Sequence, residues 1–167
     1  VVTYTTKFLD GMDGLVSGIS GIAGLVIFGL SLAPEVNQST TAFLALIFAA
    51  ACFGFLPHNF YPARIFLGEG GSTFTGFLIA TLAVISGGKI ATALLILGSP
   101  ILDAAWVILQ RLWFRDSPFV GDKKHLHFRL LDIGLSQRQA VLFLYLLAAI
   151  FGGIAVFLQS LGKLAAL

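Results

Sequence analysis

The run AVLFLYLLAAIFGG, residues 140–153, carries no charged side chain and no alternation of apolar with polar residues. A lipid-facing barrel strand would alternate with period two. Backbone N–H and C=O groups immersed in hydrocarbon must find partners within their own segment, which a helix provides. The run GLVIFGLSLA at 24–33 reads the same way. A crossing needs about 20 apolar residues. Working outward on that length, the chain divides into five apolar spans, roughly 14–32, 41–57, 73–87, 90–110 and 139–160. The third is the shortest and suits a tilted helix or one buried between neighbours. The expected fold class is all-α: a polytopic integral membrane protein with about five transmembrane helices, forming a single domain over 1–167.

Composition points the same way. Apolar residues make up 57% of the chain and charged residues 11%, against about 25% charged in a soluble domain. The mean hydropathy is +0.96. This excludes an ordinary soluble enzyme, and no nucleic-acid partner is expected. The bilayer itself is the first expected partner. Cys52, the single cysteine, lies in an apolar run and cannot form an internal disulfide. No internal repeat is visible, which counts against a transporter built from symmetric halves.

The charges fall in short stretches between the spans. One alternate set of segments, about 1–13, 58–72 and 111–138, holds Lys7, Arg64, Arg111, Arg115, Lys123, Lys124, Arg129 and Arg138. The other set holds only Lys89 and Lys163. Positive charge collects on the cytoplasmic side, so the first set is expected there, in the cell membrane. Asp10, Asp13, Glu69, His125 and His127 fall on that same side.

Three polar stretches carry the candidate chemistry. FLDGMDGLVSG, 8–18, sets Asp10 and Asp13 three residues apart, each followed by glycine. On a helix start they share a face, and the glycines let the backbone approach a ligand. A charged helix start that complements the macrodipole is the plainer reading. In PHNFYPARIFLGEGGS, 57–72, Glu69 is flanked by Gly68, Gly70 and Gly71, so its carboxylate can reach a metal or phosphate uncrowded. The plainer alternative is a helix-breaking loop in which Glu69 pairs with Arg64. His58 reads as a solvated loop residue.

In DKKHLHFRLLDIGLSQRQ, 122–139, His125 and His127 share one side only if the segment is extended. No nearby Cys or third His completes a zinc site. Anion binding with Lys123, Lys124 and Arg129 fits better, and a basic loop on anionic headgroups is the alternative. Ser136 reads as the N-cap of the last span. Asp103, after Pro100 in the fourth span, reads as bonded to backbone freed by a proline kink. Function is the other reading of an intramembrane carboxylate.

Together these stretches resemble the polyprenyl-phosphate N-acetylhexosamine-1-phosphate transferase family. FLDGMDGLVSG is similar to its DG-x-DGL motif and NFYPARIFLGEGGSTFTGF to its N-x-x-PA…FMGDSGS motif. HLHFRLLDIGLSQRQAVLFLY is similar to its HIHHRL motif with the helix that follows, nearest the branch that makes undecaprenyl-diphospho-N-acetylglucosamine. The phospho-N-acetylmuramoyl-pentapeptide transferase branch is the alternative within the family. A transporter or a non-catalytic helper subunit is the alternative from another class.

The resemblance implies an enzyme of about ten helices whose C-terminal half this chain matches. The family's earlier aspartate pair would then lie upstream of Val1, and these 167 residues alone are expected to be inactive. It implies transfer of a sugar 1-phosphate from a UDP-sugar to polyprenyl phosphate, with magnesium, or manganese in its stead, as cofactor. By the same resemblance Glu69 is the metal ligand. Asp10, Asp13, His125 and His127 serve catalysis, and Asn59, Arg129 and Lys7 bind substrate. A homodimer is the oligomer allowed for. Three positions depart from the family: Lys7 in place of Asn, Glu69 in place of Asp, and Phe128 in place of the last His.

Overall fold

In the computed structural model of this chain the described residues are 6, 9–33, 36–86 and 126–164, with side chains described for 129–157 of the last stretch. All five regular elements among them are helices: α1 (Leu15–Ser31), α2 (Ser39–Asn59), α3 (Gly68–Ile85), α4 (Leu126–Asp132) and α5 (Gln137–Leu164). Three of them, α2, α3 and α5 over Gln137–Phe157, are long and apolar enough to cross a membrane.

Helix α1 is the centre of the bundle. Its 17 residues span about 26 Å at 1.5 Å per residue. Leu15, Val16, Ile19, Ala23, Ile27 and Leu30 are each at most 2% exposed. Such burial requires neighbours to come close on several sides, and small residues permit it. Gly24 faces Phe48, Ala49 and the carbonyl of Ala45 on α2, so a β-carbon there would sit 3.0 Å from the Ala49 methyl. Gly18 faces the ring of Tyr145 on α5, which occupies the space a side chain would need. The outer surface is the reverse of a soluble protein's. Phe43 and Ile47 of α2, Phe74 and Phe77 of α3, and Leu146 and Phe157 of α5 are all more than half exposed. An apolar surface of this extent is what lipid covers.

The expected spans 14–32, 41–57 and 139–160 match α1, α2 and α5 closely. The span expected at 73–87 begins earlier, at Gly68. Gly68 takes a left-handed φ of 69°, open to glycine at no steric cost. Glu69 then falls in the first turn of α3, where the macrodipole favours a carboxylate. The GEGGS stretch is therefore helical, and the loop before it is short, 60–67. The span at 90–110, with Pro100 and Asp103, lies outside the described residues.

The connection into α5 is built from local signals. Helix α4 closes on Gly134 at φ 95°. The N–H of Leu135 donates to the Leu130 carbonyl and that of Gly134 to Leu131, the paired bonds of a glycine-terminated helix. Ser136 then caps α5 reciprocally. Its N–H donates to Oε1 of Gln139 at 2.9 Å, and the Gln139 N–H reaches back to the Ser136 hydroxyl at 3.4 Å.

Candidate active site

The first motif is a turn anchored by apolar residues and open at its carboxylates. Leu9 and Met12 are buried in the core, while Asp10 and Gly11 are exposed. Gly14, at φ 80°, starts α1 without a side-chain cap. The carboxylate of Asp13, just before it, is thus available for a longer-range bond. It accepts the backbone N–H of Ala63 at 3.0 Å, which ties the turn to the loop 60–67.

That loop is braced from inside. The Ser17 hydroxyl donates to Oδ1 of Asn59 at 2.7 Å. Asn59 is 5% exposed, and its Nδ2 donates to the Ile65 carbonyl at 3.0 Å. The N–H groups of Arg64 and Ile65 both donate to the carbonyl of His58, at 2.8 and 3.1 Å. Buried amides of this kind are costly to leave unpaired, so the bracket dictates how the loop leaves α2. The Tyr61–Pro62 peptide within it is cis.

Asp10 faces α3. Its carboxyl lies beside the hydroxyl of Ser72, one turn beyond Glu69, and that hydroxyl donates to the Glu69 carbonyl at 3.1 Å. Partial shielding from water pushes the Asp10 carboxyl above its ordinary value, and the Ser72 bond works against that by favouring the ionised form. Asp10 and Glu69 are therefore gathered at the N-terminal end of α3, where orphan N–H groups favour negative charge.

The expected site residues are distributed as follows. Asp10, Asp13, Asn59 and the turn bearing Glu69 come together at one end of the bundle. Asn59 is turned inward and spent on Ser17 and Ile65. Arg129 is exposed in the last turn of α4. His127 lies on α4, which is helical and not extended, but its side chain lies outside the described residues, as do Lys7 and His125. The sequence reading did not single out Ser17, Ser72 or Tyr145, and it counted Arg138 only among the basic residues that set the cytoplasmic side. Ser17 and Ser72 both sat inside quoted motifs, and a hydroxyl beside a candidate carboxylate was the available signal.

Among the described residues no three His, Cys, Asp or Glu side chains form a group able to hold a metal ion. The two carboxylates nearest this end of α3, Asp10 beside Ser72 and Glu69 in the helix's first turn, supply hard oxygen donors. Magnesium takes one or two protein carboxylates and completes its shell with water and substrate phosphate. The donor set fits that ion and does not fit a closed all-protein cage.

Beside the site, an apolar cavity of about 490 Å³ lies between α2 and α3, bounded by Phe48, Cys52, Phe55, Leu67, Phe74 and Leu78 among others. Ser17 also lines it.

A bundle whose described residues form only helices, three of them membrane-length, with an apolar exterior is a multi-pass membrane protein. The chain belongs to glycosyl transferase family 4, whose profile matches residues 1–87. It is 36% identical to a probable undecaprenyl-phosphate N-acetylglucosaminyl 1-phosphate transferase of Bacillus subtilis, over 95% of this chain and 46% of that one. It is 36% identical to a decaprenyl-phosphate N-acetylglucosaminephosphotransferase of Mycobacterium tuberculosis, over 84% of this chain and 40% of the relative. To a phospho-N-acetylmuramoyl-pentapeptide-transferase of Moorella thermoacetica it is 34% identical, over 95% of this chain and 49% of the relative. The chain spans about half the length of the curated relatives it matches.

Proposed function

We propose that the whole protein transfers N-acetylglucosamine 1-phosphate from a UDP-sugar to a polyprenyl phosphate, releasing UMP, at the cytoplasmic face of the cell membrane. The observation that carries this reading is the placement of the acidic turn. Asp13 is bonded to the loop 60–67 through the N–H of Ala63, and Asp10 lies beside Ser72 at the start of α3. Two carboxylates, a glycine-rich helix start and a braced loop then lie together at one end of the bundle. The names of the relatives support the acceptor, and Arg64 and Arg138 at the same end support the cytoplasmic side by the positive-inside rule.

In the reaction a phosphate oxygen of the lipid attacks the phosphorus that bears the sugar. A new P–O bond forms to the lipid phosphate. The bond from that phosphorus to the bridging oxygen breaks, and UMP leaves with the electron pair. Donor and acceptor are both anions, so positioning and charge neutralisation carry most of the catalysis.

Glu69, assisted by Asp10, would hold magnesium. The ion would supply charge neutralisation on the diphosphate. Asp13 holds the loop in place, and Asn59 acts on the loop from inside. His125, His127 and Arg129 would hold the donor's diphosphate or uridine side, with Lys7 as a further phosphate contact. The apolar cavity between α2 and α3 suits an isoprenoid acceptor, which can then react without leaving the bilayer.

The test supplies the full-length protein in membranes with undecaprenyl phosphate and either UDP-N-acetylglucosamine or the UDP-muramoyl-pentapeptide. UMP release with the first donor and not the second is the expected result. Release with the muramoyl donor alone would move the protein to the other branch, and release with neither would overturn the transferase reading.

A further inference from the structure

Helix α5 bonds, from one face, both segments that the Asp13–Ala63 bond joins. Arg138 and Tyr145 are seven residues apart, close to two full turns at 3.6 residues per turn, so their side chains leave the helix in the same direction. The Tyr145 hydroxyl donates to the carbonyl of Gly14, the residue next to Asp13. Its ring lies in the notch left by Gly18, which a β-carbon would fill. Two turns earlier, Nε of Arg138 donates to the carbonyl of Tyr61 at 3.1 Å, two residues before Ala63. Its guanidinium carbon stands 6.0 Å from the centroid of the Tyr61 ring, within range of a cation–π contact.

Besides the buried Leu9 and Met12 and the Asn59 bracket, the acidic turn and the loop are thus held to each other, through Asp13 and Ala63, and each by α5. Removing the α5 bonds would loosen the exposed parts of the two segments relative to each other. Productive transfer tolerates little misplacement, since a shift of about 1 Å can cost on the order of 100-fold in rate.

We propose that Arg138 and Tyr145 are positioning residues for the transfer, forming a clamp on α5 that fixes the acidic turn and the loop 60–67 in one geometry. This rests on the transfer reading above. Both residues act on backbone carbonyls, and neither is given a contact with donor or acceptor. A charge at Arg138 acting directly on the anionic donor is the competing account. In that case Tyr145 and Arg138 would be independent of each other.

The experiment uses the full-length protein in nanodiscs with Tyr145→Phe, Arg138→Ala and the double variant. Tyr145→Phe removes one hydroxyl and leaves the ring in its notch. Three quantities are measured: the thermal midpoint, kcat/KM for UMP release, and deuterium uptake by the segment 60–67. The clamp predicts an unchanged midpoint for Tyr145→Phe and a loss in kcat/KM of about fivefold to tenfold for each single variant, the scale of one hydrogen bond. The double variant should lose much less than the product of the two, because the pair acts on one geometry. It also predicts faster exchange at 60–67 in Tyr145→Phe, although Tyr145 itself bonds the other segment.

Losses that multiply, or exchange at 60–67 unaltered by Tyr145→Phe, would overturn the clamp. If the wild-type protein releases no UMP, the transfer reading fails by itself. The exchange measurement then still decides whether α5 holds the two segments together.

Discussion

The backbone N–H of Ala63 donates to Oδ2 of Asp13 at 3.0 Å, joining two motifs fifty residues apart. A carboxylate that accepts from the backbone makes a charge-assisted bond, stronger than a neutral one. The loop therefore depends on Asp13 for its position, independently of any substrate.

Asp13→Ala is expected to lower stability by about 1–3 kcal/mol, the range for losing a hydrogen bond to a charged group. It should also lower kcat/KM by more than tenfold. Thermal unfolding in detergent and UMP release from the full-length protein check the two effects. Full activity in a destabilised Asp13→Ala protein would show that the loop's position does not matter.

The spans were legible because hydrocarbon imposes a length and a composition that a single sequence displays. What hydropathy lacks is direction. Nothing in AVLFLYLLAAIFGG tells Tyr145 from its neighbours, yet its hydroxyl alone crosses to Gly14, 131 residues away in sequence. The three polar stretches were legible as acidic and basic patches on one side. Their joining through a backbone N–H at Ala63 was not, because every residue has such a group. Helix α4 was also hidden. It has seven residues, no membrane-length apolar run, and a stop signal at Gly134 that is readable only once the helix is assumed.

Asn59→Asp tests the inner bracket. The substitution keeps an acceptor for Ser17 but sets a carboxylate oxygen against the Ile65 carbonyl, where an amide N–H now donates. A buried charge without a partner costs about 3 kcal/mol or more. The expected outcome is a fall of that size in unfolding free energy, relieved at low pH when the new carboxyl protonates. A variant as stable as wild type at neutral pH would contradict the bracket.

Gly18→Ala tests the packing of α1 on α5. The added methyl overlaps the Tyr145 ring, which is itself tethered to Gly14. Overpacking of this kind costs about 1–3 kcal/mol. The thermal midpoint should fall, and Gly18→Ala combined with Tyr145→Leu should recover part of the loss by vacating the notch. No recovery would mean that the overlap is relieved elsewhere.

The electrostatics of Asp10 make a prediction with a definite sign. Burial raises its carboxyl above the ordinary value and the Ser72 bond lowers it. Because the folded-state value is raised, the contribution of Asp10 to stability is greatest at low pH and is lost as pH climbs through that value. Ser72→Ala removes the lowering influence, so the carboxyl rises further. If transfer needs ionised Asp10, the acid limb of the pH–rate profile moves to higher pH in Ser72→Ala. An acid limb that stays in place would remove Asp10 from the reaction.

Glu69, in the first turn of α3, is the proposed holder of the metal beside the acidic turn. The most direct measurement is UMP release by the full-length protein across a magnesium titration, with wild type beside Glu69→Gln and Glu69→Asp. Gln keeps the size of the side chain and removes its charge, whereas Asp keeps a carboxylate. The expected result is magnesium-dependent release in wild type, a loss of about a hundredfold or more in Glu69→Gln, and partial activity in Glu69→Asp at raised magnesium. Wild-type activity indifferent to magnesium, or Glu69→Gln as active as wild type, would contradict it.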